Sequence, residues 1–118
     1  MRREQRLRRR RDFDAAYRQG RSQGNRLLVV RVVPNGGGPA RFGFVAAKAV
    51  GGAVERNRLK RRLRAIARAL RARDGLDIVI SARRAAAGAP FGEVERSVKT
   101  LMRRLDALDE APAARESP

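Results

Sequence analysis

Carboxylates are the only side chains in this sequence that could hold a metal ion or exchange protons near neutral pH. The 118 residues include no histidine and no cysteine, which excludes a His-based triad, a His- or Cys-ligated zinc centre and any disulfide. A metal-dependent nuclease needs two or more converging carboxylates to hold Mg²⁺. Asp12 and Asp14 would point to different sides of a helix, and Asp74 and Asp77 flank a turn. We therefore predict no catalytic residue and no metal site on this chain.

The net charge points to a binding function. Lys and Arg number 29 against 12 Asp and Glu, for a formal net charge of +17. Self-repulsion of this size in a small domain indicates a polyanionic partner. All but three of the basic residues are arginine, which pairs with phosphate in a fork and stacks on bases, and this favours RNA. A G+C-rich genome would explain arginine in place of lysine, but not the net charge.

The segment 56–73 is basic over its whole length, since it holds nine basic residues and no acidic one. At 100° per residue, its apolar positions fall on one stripe of a helix, namely Leu59, Leu63, Ile66 and Leu70. A solvated face would normally mix the two signs of charge, whereas uncompensated arginines at helical spacing match a run of backbone phosphates. The residues predicted to contact RNA on and beside the opposite face are Arg56, Asn57, Arg58, Lys60, Arg61, Arg64 and Arg68.

Two smaller features of the sequence could also contact RNA, namely a glycine pair and an aromatic pair. Gly51 and Gly52 precede the helix, where exposed backbone N–H groups would attract a phosphate, although such a pair also serves any strand-to-helix turn. Phe13 and Tyr17 lie one helical turn apart next to the basic N-terminus. They would either pack on a sheet or stack on unpaired nucleotides, and the sequence leaves both open.

The elements that must position these residues follow the order α-β-β-α-β-α, with a further strand possible near 22–26. A helix over 12–19 is predicted, with Asp12 as its N-cap and Gly20 as its stop. The remaining predictions are paired strands at 27–33 and 41–47, a helix at 53–72, a strand at 76–82 and a last helix from 90 to 108.

Short strands covered by amphipathic helices predict an α+β fold, as a two-layer α/β sandwich. We expect a flexible basic arm at 1–11, a single domain at 12–108 and a disordered tail at 109–118. The N-terminus lacks the apolar run of a signal peptide, and no stretch is long and apolar enough to span a membrane.

Residues 41–68 resemble the signature of the bacterial ribonuclease P protein family. The matching pieces are an Arg-x-Gly strand, a lysine at the strand end, a glycine-rich turn and an Arg-Asn-Arg helix: Arg41, Gly43, Lys48, Gly51, Ala53, Val54, Arg56, Asn57, Arg58, Lys60 and Arg61. Upstream, Leu7, Asp12, Phe13, Tyr17 and Gly20 match the first-helix pattern. The chain departs from the family at Ala47, Ala49 and Gly52, where Ser, Lys and Asn are common, and at Tyr17, where Phe is commoner.

The resemblance implies a division of labour. The RNA subunit of such an enzyme is the catalyst, and its Mg²⁺ ions activate the water that removes the 5′ leader of precursor tRNA. The protein docks on that RNA through the Arg-Asn-Arg helix, while a cleft between the first helix and the sheet contacts the single-stranded leader. This implies leader contacts by Phe13, Tyr17, Arg41 and Lys48.

The resemblance also implies a left-handed β-α-β crossover, against the usual handedness, and a cytoplasmic protein with no membrane and no obligate protein partner. The main alternative is a structural RNA-binding protein or RNA chaperone of ribosomal type, which the same charge would serve. An autonomous nuclease, or nonspecific polyanion or membrane binding by the arm, fits the residues less well.

Overall fold

The computed structural model describes residues 6–109, and within them the chain forms three α-helices and four strands. The elements are α1 (Arg10–Gln19), β1 (Arg21–Gly24), β2 (Leu28–Pro34), β3 (Arg41–Ala46), α2 (Ala53–Ala69), β4 (Leu76–Ala82) and α3 (Phe91–Arg104). Short 3₁₀ helices at Lys48–Val50 and Arg84–Gly88 join β3 to α2 and β4 to α3. The α+β class and the predicted element order are confirmed, with β1 as the strand that the sequence only suggested.

The four strands form one sheet in the order β1-β2-β4-β3. β4 is antiparallel to β2 and parallel to β3, so the predicted pairing of 27–33 with 41–47 is wrong, because β4 lies between them. An apolar strand pattern does not specify its partner, and here the helix between β3 and β4 makes them a parallel β-α-β unit. β4 is one of the two inner strands and is paired on both sides, which accounts for its near-continuous apolar run.

The two faces of the sheet differ in how they are covered. α2 and α3 pack on one face and form the main core, to which α2 contributes the predicted stripe of Leu59, Leu63 and Ile66. α1 covers part of the other face through a smaller cluster that includes Ala16 and Val79. The predicted alternation along β3 is confirmed, since its two phenylalanines face the main core and Val45 faces the α1 side.

The start of the domain differs from the prediction. α1 begins at Arg10, with Arg9 as N-cap and no side-chain cap, so the prediction of Asp12 as N-cap is wrong. Asp12 lies instead in the first turn, where its charge favours the helix dipole. Leu7 is buried and donates its N–H to the Phe42 carbonyl at 2.8 Å. The predicted arm therefore does not extend to residue 11, because the chain from residue 6 packs along β3; residues 1–5 lie outside the described range.

The helix ends are set by neighbouring segments. Gly20 caps α1 as predicted, with its N–H donated to the Ala16 carbonyl at 3.0 Å. α2 ends at Ala69 rather than at 72, because the chain beyond it pairs with the segment after α3: Ala72 bridges Leu108. α3 ends at Arg104, and the predicted tail lies, apart from residue 109, outside the described residues.

Candidate nucleic-acid interface

The outer face of α2 is basic and lacks compensating acids. Burial of the leucine stripe turns the opposite side outward, so that Asn57, Arg58, Arg61 and Arg68 are exposed, while Arg56, Lys60 and Arg64 are half-buried. None of the basic side chains of α2 forms an ion pair with an acid inside 6–109; the ion pairs found there involve Arg26, Arg41 and Arg73. The helix thus brings together all the residues predicted to contact RNA and leaves their charge available to an anion.

Arg64 lies half-buried among other basic residues. Burial, followed by the positive charges of Arg6, Arg61 and Arg68, lowers its pKa below the ordinary value for arginine. Its Nε atom is buried and has no hydrogen-bond partner within the described part of the chain, and the same holds for Arg56. A phosphate bound at the exposed end of the guanidinium would offset the repulsion among these cations. Sequence reasoning missed Arg6, because it placed that residue in a flexible arm.

The glycine turn before α2 has an acid beside it. Gly51 has a φ of 151°, which favours glycine, and Gly52 is the N-cap of α2. A Cβ atom added to Gly52 would lie 3.1 Å from the carboxylate oxygen Oε2 of Glu55. That carboxylate already places negative charge near the helix N-terminus. A phosphate could occupy the predicted site at Gly51 and Gly52 only if Glu55 moved away.

On the opposite face of the sheet, Tyr17 is the exposed aromatic. It is 45% exposed, and its hydroxyl lies 3.4 Å from Ser81 Oγ. The guanidinium carbon of Arg31 lies 4.6 Å from the centre of the Tyr17 ring, in cation–π geometry. Sequence reasoning missed Arg31, although a signal was present: it is the one charge in the strand 27–33, at a position that faces away from the main core.

Phe13 packs on the sheet rather than standing free. Its ring covers Gly43 so closely that a Cβ atom there would lie 2.5 Å from Phe13 Cε1. The ring is half-buried against the smaller cluster, which contains Leu7, Ala16 and Val79. The sequence left open whether these two aromatic rings pack on a sheet or stack on unpaired nucleotides. Phe13 packs on the sheet, whereas the Tyr17 ring remains exposed.

Arg41 is held by an ion pair. Its Nε and one terminal nitrogen donate to the two oxygens of Asp77 at 2.8 and 2.7 Å, and Asn35 donates to the same carboxylate. Asp12 of α1 lies 3.7 Å from the Arg41 guanidinium. The hydrogen bond to Asp77 raises the pKa of Arg41, despite some burial. Asp77 is only 4% exposed, so Arg41 ties β3 to β4 and to α1 while a third of its side chain stays accessible.

Lys48 is exposed in the 3₁₀ turn just after β3, and so stands at the end of the strand that carries Arg41. The structure places Phe13, Tyr17 and Arg41 along the contact between α1 and the sheet.

Over residues 6–109, no three acidic side chains come together in a way that could hold a metal ion. In the same range, no helix is long and apolar enough to cross a membrane.

Comparison with known proteins agrees with the resemblance seen in the sequence. The family model described as Ribonuclease P matches residues 1–106. A ribonuclease P protein component from Symbiobacterium thermophilum is 45% identical over 111 residues, which cover 92% of this chain and 96% of that protein. One from Dehalococcoides mccartyi is 40% identical, with coverages of 94% and 92%.

Solved structures share the fold. The RNase P protein from Thermotoga maritima superimposes with a TM-score of 0.75 at 34% identity, covering 84% of this chain and 96% of that one. A mutant of the Staphylococcus aureus RNase P protein, described as defective in mRNA degradation activity, gives a TM-score of 0.81 at 26% identity, with coverages of 89% and 91%. From the family match and these relatives together, the chain belongs to the ribonuclease P protein family.

Proposed function

We propose that this chain binds the catalytic RNA of ribonuclease P through the outer face of α2 and the 5′ leader of precursor tRNA along the contact between α1 and the sheet. In this role it promotes removal of the leader, which leaves mature tRNA 5′ ends, while the RNA carries out the cleavage. Family membership supports the role of a ribonuclease P subunit in tRNA processing. The assignment of RNA partners to the two surfaces is our inference from their charge and shape.

The observation that carries the proposal is the unpaired cationic face of α2. Seven residues along one helix present basic or amide groups, and none of the cations is paired with an acid in the described range. Each phosphate contact formed by such a face releases condensed counterions from the RNA, so the binding free energy is large at low salt. The arrangement suits the backbone of a folded RNA, where phosphates recur at regular spacing.

The α1 side suits a single strand better than a duplex. Tyr17 and Arg31 form a small stacking surface on this side, and such platforms bind unpaired bases without a groove. Lys48, just after β3, adds an exposed positive charge. Arg41 contributes only the accessible third of its side chain, because Asp77 already occupies its fork. Phe13 supports this surface from below by fixing α1 on Gly43.

We further propose that the Mg²⁺ ions of the reaction are held mainly by the RNA. Such ions activate the attacking water and stabilise the developing charge on the phosphate. Asp12 and Asp77 both lie beside the Arg41 guanidinium, whose positive charge disfavours a Mg²⁺ ion between them. A cytoplasmic location and the absence of an obligate protein partner complete the proposal.

A reconstitution tests the proposal directly. The full chain is mixed with a bacterial ribonuclease P RNA and a leader-bearing precursor tRNA at low Mg²⁺, and the cleavage rate is measured. Stimulation of cleavage at the mature 5′ end is expected. No stimulation would contradict the proposal and favour an RNA chaperone of ribosomal type, whereas cleavage by the protein alone would indicate an autonomous nuclease.

The α2 surface has its own test with a matched control. Replacement of Arg61 and Arg64 by Ala should weaken binding to the catalytic RNA and reduce its salt dependence by about 0.7–0.9 logarithmic unit per lost phosphate contact. Arg96→Ala is compared with each single α2 variant, because it removes one arginine charge from an exposed position of α3, a helix that also carries Glu93 and Glu95. An unchanged slope for the α2 variants, or an equal change for Arg96→Ala, would contradict the assignment of the surface.

A further inference from the structure

A cavity of about 240 Å³ opens where α2 ends and β3 begins. Its floor is apolar and mostly buried, and is formed by Ala40, Phe42 and Ala67 with Leu70 and Ala72 at its side. Its rim is charged and exposed, and consists of Arg68, Arg71 and Asp74. Drug-sized ligands usually occupy pockets of about 300–1,000 Å³, so this cavity suits a single planar group rather than a large cofactor.

The walls of the cavity are fixed by backbone hydrogen bonds. The Arg73 N–H donates to the Ala107 carbonyl at 2.8 Å, and the Asp109 N–H donates to the Arg71 carbonyl at 2.7 Å. On the other side, the Gly75 N–H donates to the Gly38 carbonyl at 2.6 Å. A site held in this way loses little freedom when a ligand enters, which favours binding.

The rim combines two cations with an acceptor. Arg68 and Arg71 have no ion-pair partner in 6–109, and Asp74 has none there either. The C-terminal end of α2 adds partial negative charge beside Asp74. A lone phosphate would be repelled by this negative end of the helix. A purely apolar ligand would desolvate the charged side chains without offering them hydrogen bonds. The ligand that matches all three parts has a flat apolar body, an edge of N–H donors and an attached anion.

We propose that this cavity binds an unpaired nucleotide of the RNA that lies on α2, with guanine as the preferred base. The base lies against the apolar floor, its N–H edge donates to the Asp74 carboxylate, and Arg68 and Arg71 contact the adjoining phosphates. The surface is continuous with the α2 face, because Arg68 belongs to both. That the nucleotide belongs to the catalytic RNA rests on the proposed function, whereas the chemistry of the cavity does not.

The chemistry is tested on the full chain by NMR, with GMP, UMP and ribose 5-phosphate as separate probes. GMP should shift the amides of Ala40, Leu70 and Ala72, and should half-saturate at about a tenfold lower concentration than ribose 5-phosphate, the ratio expected from one bidentate contact to a base. UMP, whose edge offers a single donor between two acceptors, should bind less tightly than GMP. Equal binding of GMP and ribose 5-phosphate, or shifts located elsewhere, would overturn the inference.

Two variants alter the cavity in different ways. Ala72→Leu fills it while keeping all three rim charges, and Asp74→Asn keeps the shape of the exposed side chain but removes the carboxylate. Both should abolish the advantage of GMP over ribose 5-phosphate, and the charge-matched control Glu95→Gln on α3 should keep it. Retention of the advantage in Asp74→Asn would overturn the inference even if Ala72→Leu failed to fold.

Binding to the catalytic RNA separates the two proposals. Asp74→Asn should weaken this binding up to about tenfold with no loss of salt dependence, because it removes a base contact and not a phosphate contact. If Arg61→Ala lowers the salt dependence while Asp74→Asn binds the RNA as tightly as the parent, the nucleotide pocket is refuted and the proposed function stands. If neither variant has an effect, the RNA does not lie on α2.

Discussion

Replacement of Gly43 by Ala tests how α1 is joined to the sheet. Gly43 lies in the middle of β3, and the Phe13 ring lies directly above it. An added Cβ atom would lie 2.5 Å from Phe13 Cε1, 2.6 Å from Cζ and 3.2 Å from Leu7 Cδ1. Carbon atoms pack best at about 3.5–4.0 Å, so the ring would have to retreat by about 1 Å.

The ring cannot retreat freely, because α1 has other attachments. Asp12 contacts Arg41, and the Tyr17 hydroxyl lies within 3.4 Å of Ser81. Overpacking of this kind costs about 1–3 kcal/mol, and the lower backbone entropy of Ala in the unfolded chain offsets about 0.4–1 kcal/mol. The net loss should be about 1–2 kcal/mol, which at ~4 °C per kcal/mol lowers the Tm by about 4–8 °C.

Thermal and urea unfolding of the full chain measure the effect. Gly88→Ala is the matched control: a Cβ there meets nothing within 4 Å, so only the entropy effect on the unfolded chain remains and the Tm should not fall. Phe13→Leu should relieve the clash, so the double variant should lose less than the sum of the two single losses. A Gly43→Ala variant as stable as its parent, or strict additivity with Phe13→Leu, would refute the contact as described.

Three further predictions concern the charged groups. Asp77→Asn should destabilise the fold by about 2 kcal/mol in a urea titration, less than the ~3–5 kcal/mol of a fully buried pair, because Arg41 is partly exposed. Asp106→Asn, which breaks an exposed ion pair, should cost less than ~1 kcal/mol in the same titration. Equal losses would contradict a structural role for Asp77. Arg31→Ala should reduce the preference for leader-bearing over mature tRNA by about 2–5-fold, as expected for one cation–π partner of Tyr17, and an equal loss of affinity for both RNAs would argue against a leader contact. Because the net charge is +17, raising NaCl from about 0.05 to 0.5 M should screen self-repulsion and raise the Tm of the free protein; a lower Tm at high salt would indicate that ion pairs outweigh the repulsion.

The local features of this protein could be predicted from the sequence. The buried stripe and basic face of α2 follow from helical geometry, which places Leu59, Leu63 and Ile66 on one side whatever the helix packs against. The alternation of β3 follows in the same way from the two-residue period of a strand. The polyanionic partner follows from the net charge, and the family from the spacing of residues within 41–68.

The contacts between distant segments were decided only by the tertiary structure. The placement of β4 between β2 and β3 brought Asp77 to Arg41, 36 residues away in the chain, and so gave a residue predicted to contact RNA an internal ion pair as well. The packing of α1 on the sheet put Phe13 over Gly43 and Tyr17 under the guanidinium of Arg31. Periodicity records which side of an element is apolar, because backbone geometry repeats locally. It does not record which strand lies next to which, because that depends on how all the layers pack together, and the partners of each charged side chain follow from that packing.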